Sequence, residues 1–239
     1  MPKTFLSAQW EHLVMANYAV KPETLQPYLP AGLQLDDFRG TYYLSLVGFM
    51  FRKTRLFGVP VPFFGSFEEI NLRFYVKRET EQGLRRGVVF INETVPFRAV
   101  AWLANALYQE HYTAVPTSHK IHQDPNHTQV QFAWTHRKKK HSISVKAANE
   151  RKPMNADSTE AFIYEHYYGY TGSVEGPTVE YEIIHPSWNV QQVVSHDIQC
   201  DFAAMYGADF AFLNSQKPES VMLADGSAVR VLWKRNRCA

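Results

Sequence analysis

The chain has 239 residues, 45% of them hydrophobic and 20% charged, a balance that excludes a disordered chain and suits a folded globular protein. A formal net charge of +2 gives no global field toward nucleic acid or an anionic membrane, so neither partner is expected. Cys200 and Cys238 lie too far apart for a disulfide framework, and residues 1–20 lack the apolar core of a signal peptide. The expected setting is therefore soluble, reducing and cytoplasmic.

No window approaches the ~18 consecutive apolar residues that a membrane-spanning helix needs. Neither an internal repeat nor a linker interrupts the chain, and the length suits one large β-rich domain over 1–239. Aromatic residues, at 14%, predict many rings packed on sheets or lining a pocket.

In chain order, Lys21-Pro22-Glu23-Thr24-Leu25 reads as a short helix that ends at Leu29-Pro30-Ala31-Gly32. The aromatic and β-branched run 41–51 is apolar on both faces and predicts a buried central strand. Residues 56–66 combine turn formers with Leu56, Phe57, Val59, Val61, Phe63 and Phe64. A loop this apolar is expected either to fold over a cavity or to pack on another subunit, which leaves a homo-oligomer open.

From Phe67 to Val76 the chain alternates. Ile70, Leu72, Phe74 and Val76 share one face, while Glu69, Asn71, Arg73 and Tyr75 share the other. A polar, glycine-bearing turn over 79–87 and a strand at 88–91 then predict an antiparallel hairpin. Phe97, Val100, Ala101, Ala104, Leu107, Tyr108 and His111 recur at helical spacing, predicting a helix from Phe97 to about Tyr112, with Arg98, Trp102, Asn105 and Gln109 on its other side.

Strands at 129–135 and 142–147 flank the basic tip Arg137-Lys138-Lys139-Lys140. A second helix is expected over 158–167 with Ser158 as cap, followed by strands at 178–184 and 188–194. The Asp225-Gly226 step between 221–223 and 229–233 predicts a closing hairpin.

Leu29-Pro30-Ala31-Gly32-Leu33, the strand 67–76, His166-Tyr167-Tyr168-Gly169-Tyr170, His185-Pro186-Ser187-Trp188 and Ala224-Asp225-Gly226-Ser227 together resemble the YqjF-like family. That family is similar in architecture to acetoacetate decarboxylase. The resemblance implies a mainly β (α+β) fold, a bent antiparallel sheet or barrel with a few packed helices around a small cavity. In the decarboxylase a buried lysine forms a Schiff base with a β-keto acid, beside glutamates and an arginine. On the motifs, Glu69 resembles the pocket glutamate and Arg98 the arginine, but no lysine lies between Ala99 and Pro116, and Lys120 sits in a polar stretch. Schiff-base chemistry is therefore not expected.

Glu69, Asn71 and Arg73 at i, i+2 and i+4 point together from one strand and can hold a carbonyl or carboxylate. The competing reading is an ordinary salt-bridged strand face. Arg98 either enters the cavity or pairs with Glu69 or Glu93. Tyr43 and His185 are candidate pocket walls, as are Tyr75, His166, Tyr167 and Trp188. His119, His122 and His127 lack a zinc spacing and read as an exposed loop, and no phosphate-cradling motif occurs. Neither metal nor cofactor is expected, and Cys200 reads as a small buried hydrophobe rather than a nucleophile. The expected partner is a small organic acid or carbonyl compound. A noncatalytic binding or stress-response module and an oligomeric structural protein are the alternatives.

Overall fold

The computed structural model describes residues 3–108 and 111–238. Its strands form one continuous, strongly folded sheet. Seven of them close on themselves: β1 (Thr4–Val20), β3 (Tyr42–Leu56), β5 (Phe67–Thr80), β6 (Gly83–Val95), β11 (Tyr168–Thr171), β12 (Thr178–Ile184) and β15 (Ala228–Cys238), with β1 returning to β3. All these pairings are antiparallel except β6 with β11. A barrel of this kind removes open edges and leaves an interior into which alternate side chains point.

A second layer leaves the barrel at β1. It runs through β14 (Ser220–Ala224), β13 (Asn189–Gln199), β10 (Lys139–Pro153), β9 (His127–His136) and β8 (Thr117–Gln123). The period-2 alternation of β5 therefore serves two environments. Ile70, Leu72, Phe74 and Val76 pack outward against Val130, Phe132, Ile143 and Val145 of the second layer, while Glu69, Asn71 and Arg73 face the barrel interior. The expected greasy and polar faces are both buried, one in a core and one in a lumen.

Two irregularities tune which side chains enter the lumen. In β6, Leu72 pairs with Asn92 but Arg73 pairs with Phe90, so Ile91 is an extra residue. A bulge reverses the facing of the residues that follow it, and so both Phe90 and Glu93 turn inward while Val89 and Ile91 join the outer core. In β1 the register shifts between Glu11 and Val14, where His12 adopts φ +56. Trp10 before the shift and Leu13 after it both reach the lumen.

The closing hairpin expected at Asp225-Gly226 does not form. β14 and β15 do not pair with each other. Both lie antiparallel along one edge of β1, at Leu13–Asn17 and Thr4–Gln9 respectively. Gly226, at φ +81, is pressed against the Trp10 carbonyl, and the Trp10 amide donates to the Ser227 carbonyl at 2.8 Å. This glycine kinks the strand instead of reversing it, in step with the bulge of β1, and the kink sends β14 to the outer layer and β15 to the barrel.

The long helix is shorter than expected. It spans Arg98–Tyr108 (α2), and the chain re-enters the sheet as β7 (Tyr112–Ala114), parallel to β6. Gln109 and Glu110 lie outside the described residues. The Asn105 side chain explains the turn back, since its Oδ1 accepts from the Tyr112 amide at 2.7 Å and its Nδ2 donates to the Tyr112 carbonyl at 3.0 Å. Likewise His119 and His122 belong to the edge strand β8 rather than to a loop, and their segment is held by Thr117 and His119 side chains on Glu68. The other short helix, α3 (Thr159–Tyr164), begins where Ser158 accepts from the Ala161 amide. Its Phe162 and Tyr164 plug one end of the barrel.

Candidate ligand-binding site

The lumen retains a cavity of about 120 Å³. Strands β3, β5 and β6 form one wall, contributing Val47, Phe49, Glu69, Asn71, Arg73, Phe90 and Glu93. Trp10, Leu13, Tyr164, His166, His185 and Trp188 complete the wall, with Trp10 packed on Phe49, and Ala104 of α2 and Tyr112 also line the cavity. No lysine lines it among the described residues; Lys120 is exposed on the outer edge strand.

Glu69 is 3% exposed. Its Oε1 accepts from Asn71 Nδ2 at 3.1 Å and its Oε2 accepts from the Tyr112 hydroxyl at 3.0 Å. Burial pushes its pKa up to about 7, against the opposing pull of those two hydrogen bonds and the Arg73 charge. Near neutral pH this carboxyl exists in both protonation states, the condition under which a carboxyl can serve as either acid or base.

Arg73 is half-buried. One of its terminal nitrogens lies 3.4 Å from the Ile163 carbonyl and 3.6 Å from Met15 Sδ, and its guanidinium carbon is 5.6 Å from the Tyr75 ring centroid. Its Nε and Asn71 Oδ1 are buried without a hydrogen-bond partner among the described residues, and no carboxylate there forms an ion pair with it. The salt-bridged strand face weighed from the sequence is therefore not what this strand presents.

Around this centre the supporting side chains are held by charge and ring contacts, while both ring nitrogens of His166 and the Trp10 Nε1 lack a hydrogen-bond partner among the described residues. His166 Nε2 lies 3.5 Å from Asp36, which Arg86 approaches at 3.1 Å and Lys77 at 3.6 Å. Burial opposes the ionised form of Asp36, but His166, Arg86 and Lys77 outweigh it and hold the carboxyl below its usual range. His185 stacks on Trp188 at 4.2 Å and its Nδ1 lies 2.9 Å from the Pro186 carbonyl, while burial lowers its pKa. Trp188 in turn donates to Ser227 Oγ at 2.8 Å.

Of the residues singled out from sequence, Glu69, Asn71, Arg73, His166, His185 and Trp188 line this cavity, and Tyr75 and Tyr167 lie outside its lining. Tyr43 and Arg98 do not line it either. Tyr43 belongs to the far end of the barrel, where its ring packs on Phe162 and its hydroxyl donates to Glu219 at 3.2 Å. Arg98 occupies the first turn of α2 on the exposed side of the helix, because the register that sends Val100 and Ala104 inward turns it to solvent. The pairing of Arg98 with Glu69 is replaced by the hydrogen bonds from Asn71 and Tyr112. Tyr112 was not anticipated; its only sequence signal is a hydroxyl-bearing ring just beyond an amphipathic helix.

Cys200 is half-buried beside Asp201, and burial drives its thiol pKa upward, away from nucleophilic chemistry. Among the described residues no group of three or more metal-ligating side chains gathers, and no helix is long and apolar enough to cross a membrane.

Comparison with solved structures places this architecture beside two enzymes. The enduracididine biosynthesis enzyme MppR with HEPES buffer bound superposes with a TM-score of 0.68 at 12% identity, over 100% of this chain and 89% of that one; its complex with pyruvate gives 0.65 at 13%, over 99% and 91%. An acetoacetate decarboxylase-like enzyme from Sphingomonas wittichii RW1 gives 0.67 at 12%, over 98% and 92%. At such identities the likeness is one of fold. In sequence, protein YqjF of Bacillus subtilis, itself described as uncharacterized, is 32% identical over 76 residues, a stretch spanning 31% of each chain. The model of the DUF2071 family of uncharacterized conserved proteins matches residues 7–228. With nearly the whole chain matched and a closed seven-stranded barrel beneath it, the chain belongs to this YqjF-like family and carries an acetoacetate-decarboxylase-like fold.

Proposed function

We propose that the barrel lumen binds a small organic acid or carbonyl compound, without a Schiff-base lysine. The observation that carries this reading is Arg73, a guanidinium that lines the cavity with no carboxylate within ion-pair distance among the described residues, Glu69 sensing it only through its charge. A half-buried cation of this kind is stabilised by an anionic or strongly dipolar oxygen, and two orphaned polar atoms, Arg73 Nε and Asn71 Oδ1, each cost about 1–3 kcal/mol until a ligand satisfies them. In this arrangement Arg73 holds the carboxylate or carbonyl oxygen, Asn71 offers an acceptor to a neighbouring hydroxyl, and Glu69 takes up or releases a proton beside it. The pyruvate complex of an enzyme of the same fold supports a keto acid as the first ligand to try.

The test is thermal denaturation with pyruvate and a panel of small keto acids and carbonyl compounds, on wild type and Arg73→Met. A rise in melting temperature that grows with ligand concentration and vanishes in the variant supports the reading. No rise with any compound refutes it.

A further inference from the structure

A second chamber of about 160 Å³ adjoins this cavity, and the two share six wall residues: Phe5, Leu6, Phe51, Glu69, Ala104 and Tyr112. Beyond these the wall is Leu56, Val61, Phe64, Phe67, Val100 and Leu103, with Thr54 adding a hydroxyl. Its roof has two parts, the segment 57–66, which turns back on β3 through the short strand Val59–Pro60 instead of forming the plain loop expected, and the helix α2, joined where the Phe64 ring meets Phe97 edge-on at 4.7 Å. The two chambers differ in chemistry. One presents an arginine, an amide and a carboxyl, and the other is almost wholly aliphatic and aromatic.

We propose that the ligand is amphiphilic, a carboxylic or keto acid whose polar head sits at Arg73 and Asn71 and whose apolar tail, of about six carbons or one phenyl ring, occupies the outer chamber. This rests on the reading of the inner chamber as an anion or carbonyl site. The size follows from the volume, since a cavity of about 150 Å³ lined by aliphatic and aromatic side chains is enough for a benzene-sized group. Glu69 and Tyr112 stand at the junction, beside the first carbons after the head. The apolar sequence of the 57–66 segment also gains a purpose, because Val61 and Phe64 supply the tail wall.

The experiment is a calorimetric titration of wild type, Ala99→Phe and Arg73→Met with propionate, pyruvate, octanoate and phenylpyruvate. Ala99 lines only the outer chamber of the two and is exposed on α2, so a larger side chain there fills the tail site from its mouth. Each buried methylene strengthens binding about fourfold. Octanoate and phenylpyruvate are therefore expected to bind wild type at least tenfold more tightly than their short counterparts. That ratio is expected to fall toward one in Ala99→Phe, and every acid is expected to weaken in Arg73→Met. Equal affinity for short and long acids, with dependence on Arg73, overturns the tail chamber and leaves the polar site standing. A long-chain preference that persists in Ala99→Phe also overturns it. Failure of all four acids to bind wild type overturns both readings.

Discussion

Replacing Glu69 by Gln removes a carboxyl that burial holds near pKa 7 and keeps its shape. The neutral amide can still accept from Asn71 and hydrogen-bond the rotatable Tyr112 hydroxyl, so the local geometry survives. In the unfolded chain this carboxyl titrates at its ordinary value of 4.5. Because the folded value is raised, the folded state binds the extra proton, and stability falls as pH climbs between these two values. A shift of this size corresponds to about 3 kcal/mol, all of it felt above pH 7 and none of it below pH 4.5. Glu69→Gln escapes this loss. Urea unfolding at pH 5 and pH 8.5 is expected to show the variant near wild type at the lower pH and up to about 3 kcal/mol more stable at the higher. In a chain of this length that is roughly 6–12 °C in melting temperature. A stability difference independent of pH, or a variant less stable at pH 8.5, refutes the reasoning.

Arg98→Ala, in contrast to Arg73→Met, is expected to change stability by less than about 0.5 kcal/mol and to leave ligand-induced thermal shifts intact, because Arg98 is exposed and away from the cavity. Gly226→Ala is expected to cost about 2–3 kcal/mol in guanidinium unfolding, since φ +81 disfavours a side chain and the new methyl would meet the Trp10 carbonyl. Glu180 is buried and accepts from Arg78, Arg85, Tyr170 and Asn236; Glu180→Gln is expected to cost about 2–3 kcal/mol at pH 7. Burial opposes its charge, but the hydrogen bonds from Asn236 and Tyr170 and the two arginines outweigh it, so its folded pKa lies below 4.5. Wild type should therefore lose stability as pH falls below 4.5 through the folded pKa, and the variant should lose less, as read by acid titration of the unfolding free energy.

The strand 67–76 carried most of what was legible, because a period of two separates its faces without any knowledge of the partners. What the period could not tell was that the polar face looks into a lumen rather than into water, since that depends on β15 closing against β1 far along the chain. The same limit explains Tyr43, expected as a pocket wall, whose height along the barrel is set by the register of β3 against β5 and by its packing on Phe162 of α3. Arg98 was misplaced because resemblance located it near the pocket, while the helical register of its own neighbours, Val100 and Ala104, turns it outward. The Asp-Gly step misled for a different reason: it signals a positive φ, which either a reversal or a kink can use, and only the bulge in β1 selects the kink. The N-terminal strand β1 went unread altogether, its alternation being broken by that bulge at His12.

β1 also dictates the order in which this protein can be completed during synthesis. Its first edge finds β3 early, but its second is filled by β14 and β15, with Asn17 and Ser220 hydrogen-bonded across 203 positions. Until those late residues leave the ribosome, a strand of 17 residues shows an unpaired row of backbone donors and acceptors, and both the barrel and the second layer stand open along it. A chaperone that shields β1 has to hold it until residues 220–238 have been made, and a chain ended before residue 220 keeps an adhesive edge that the folded barrel covers.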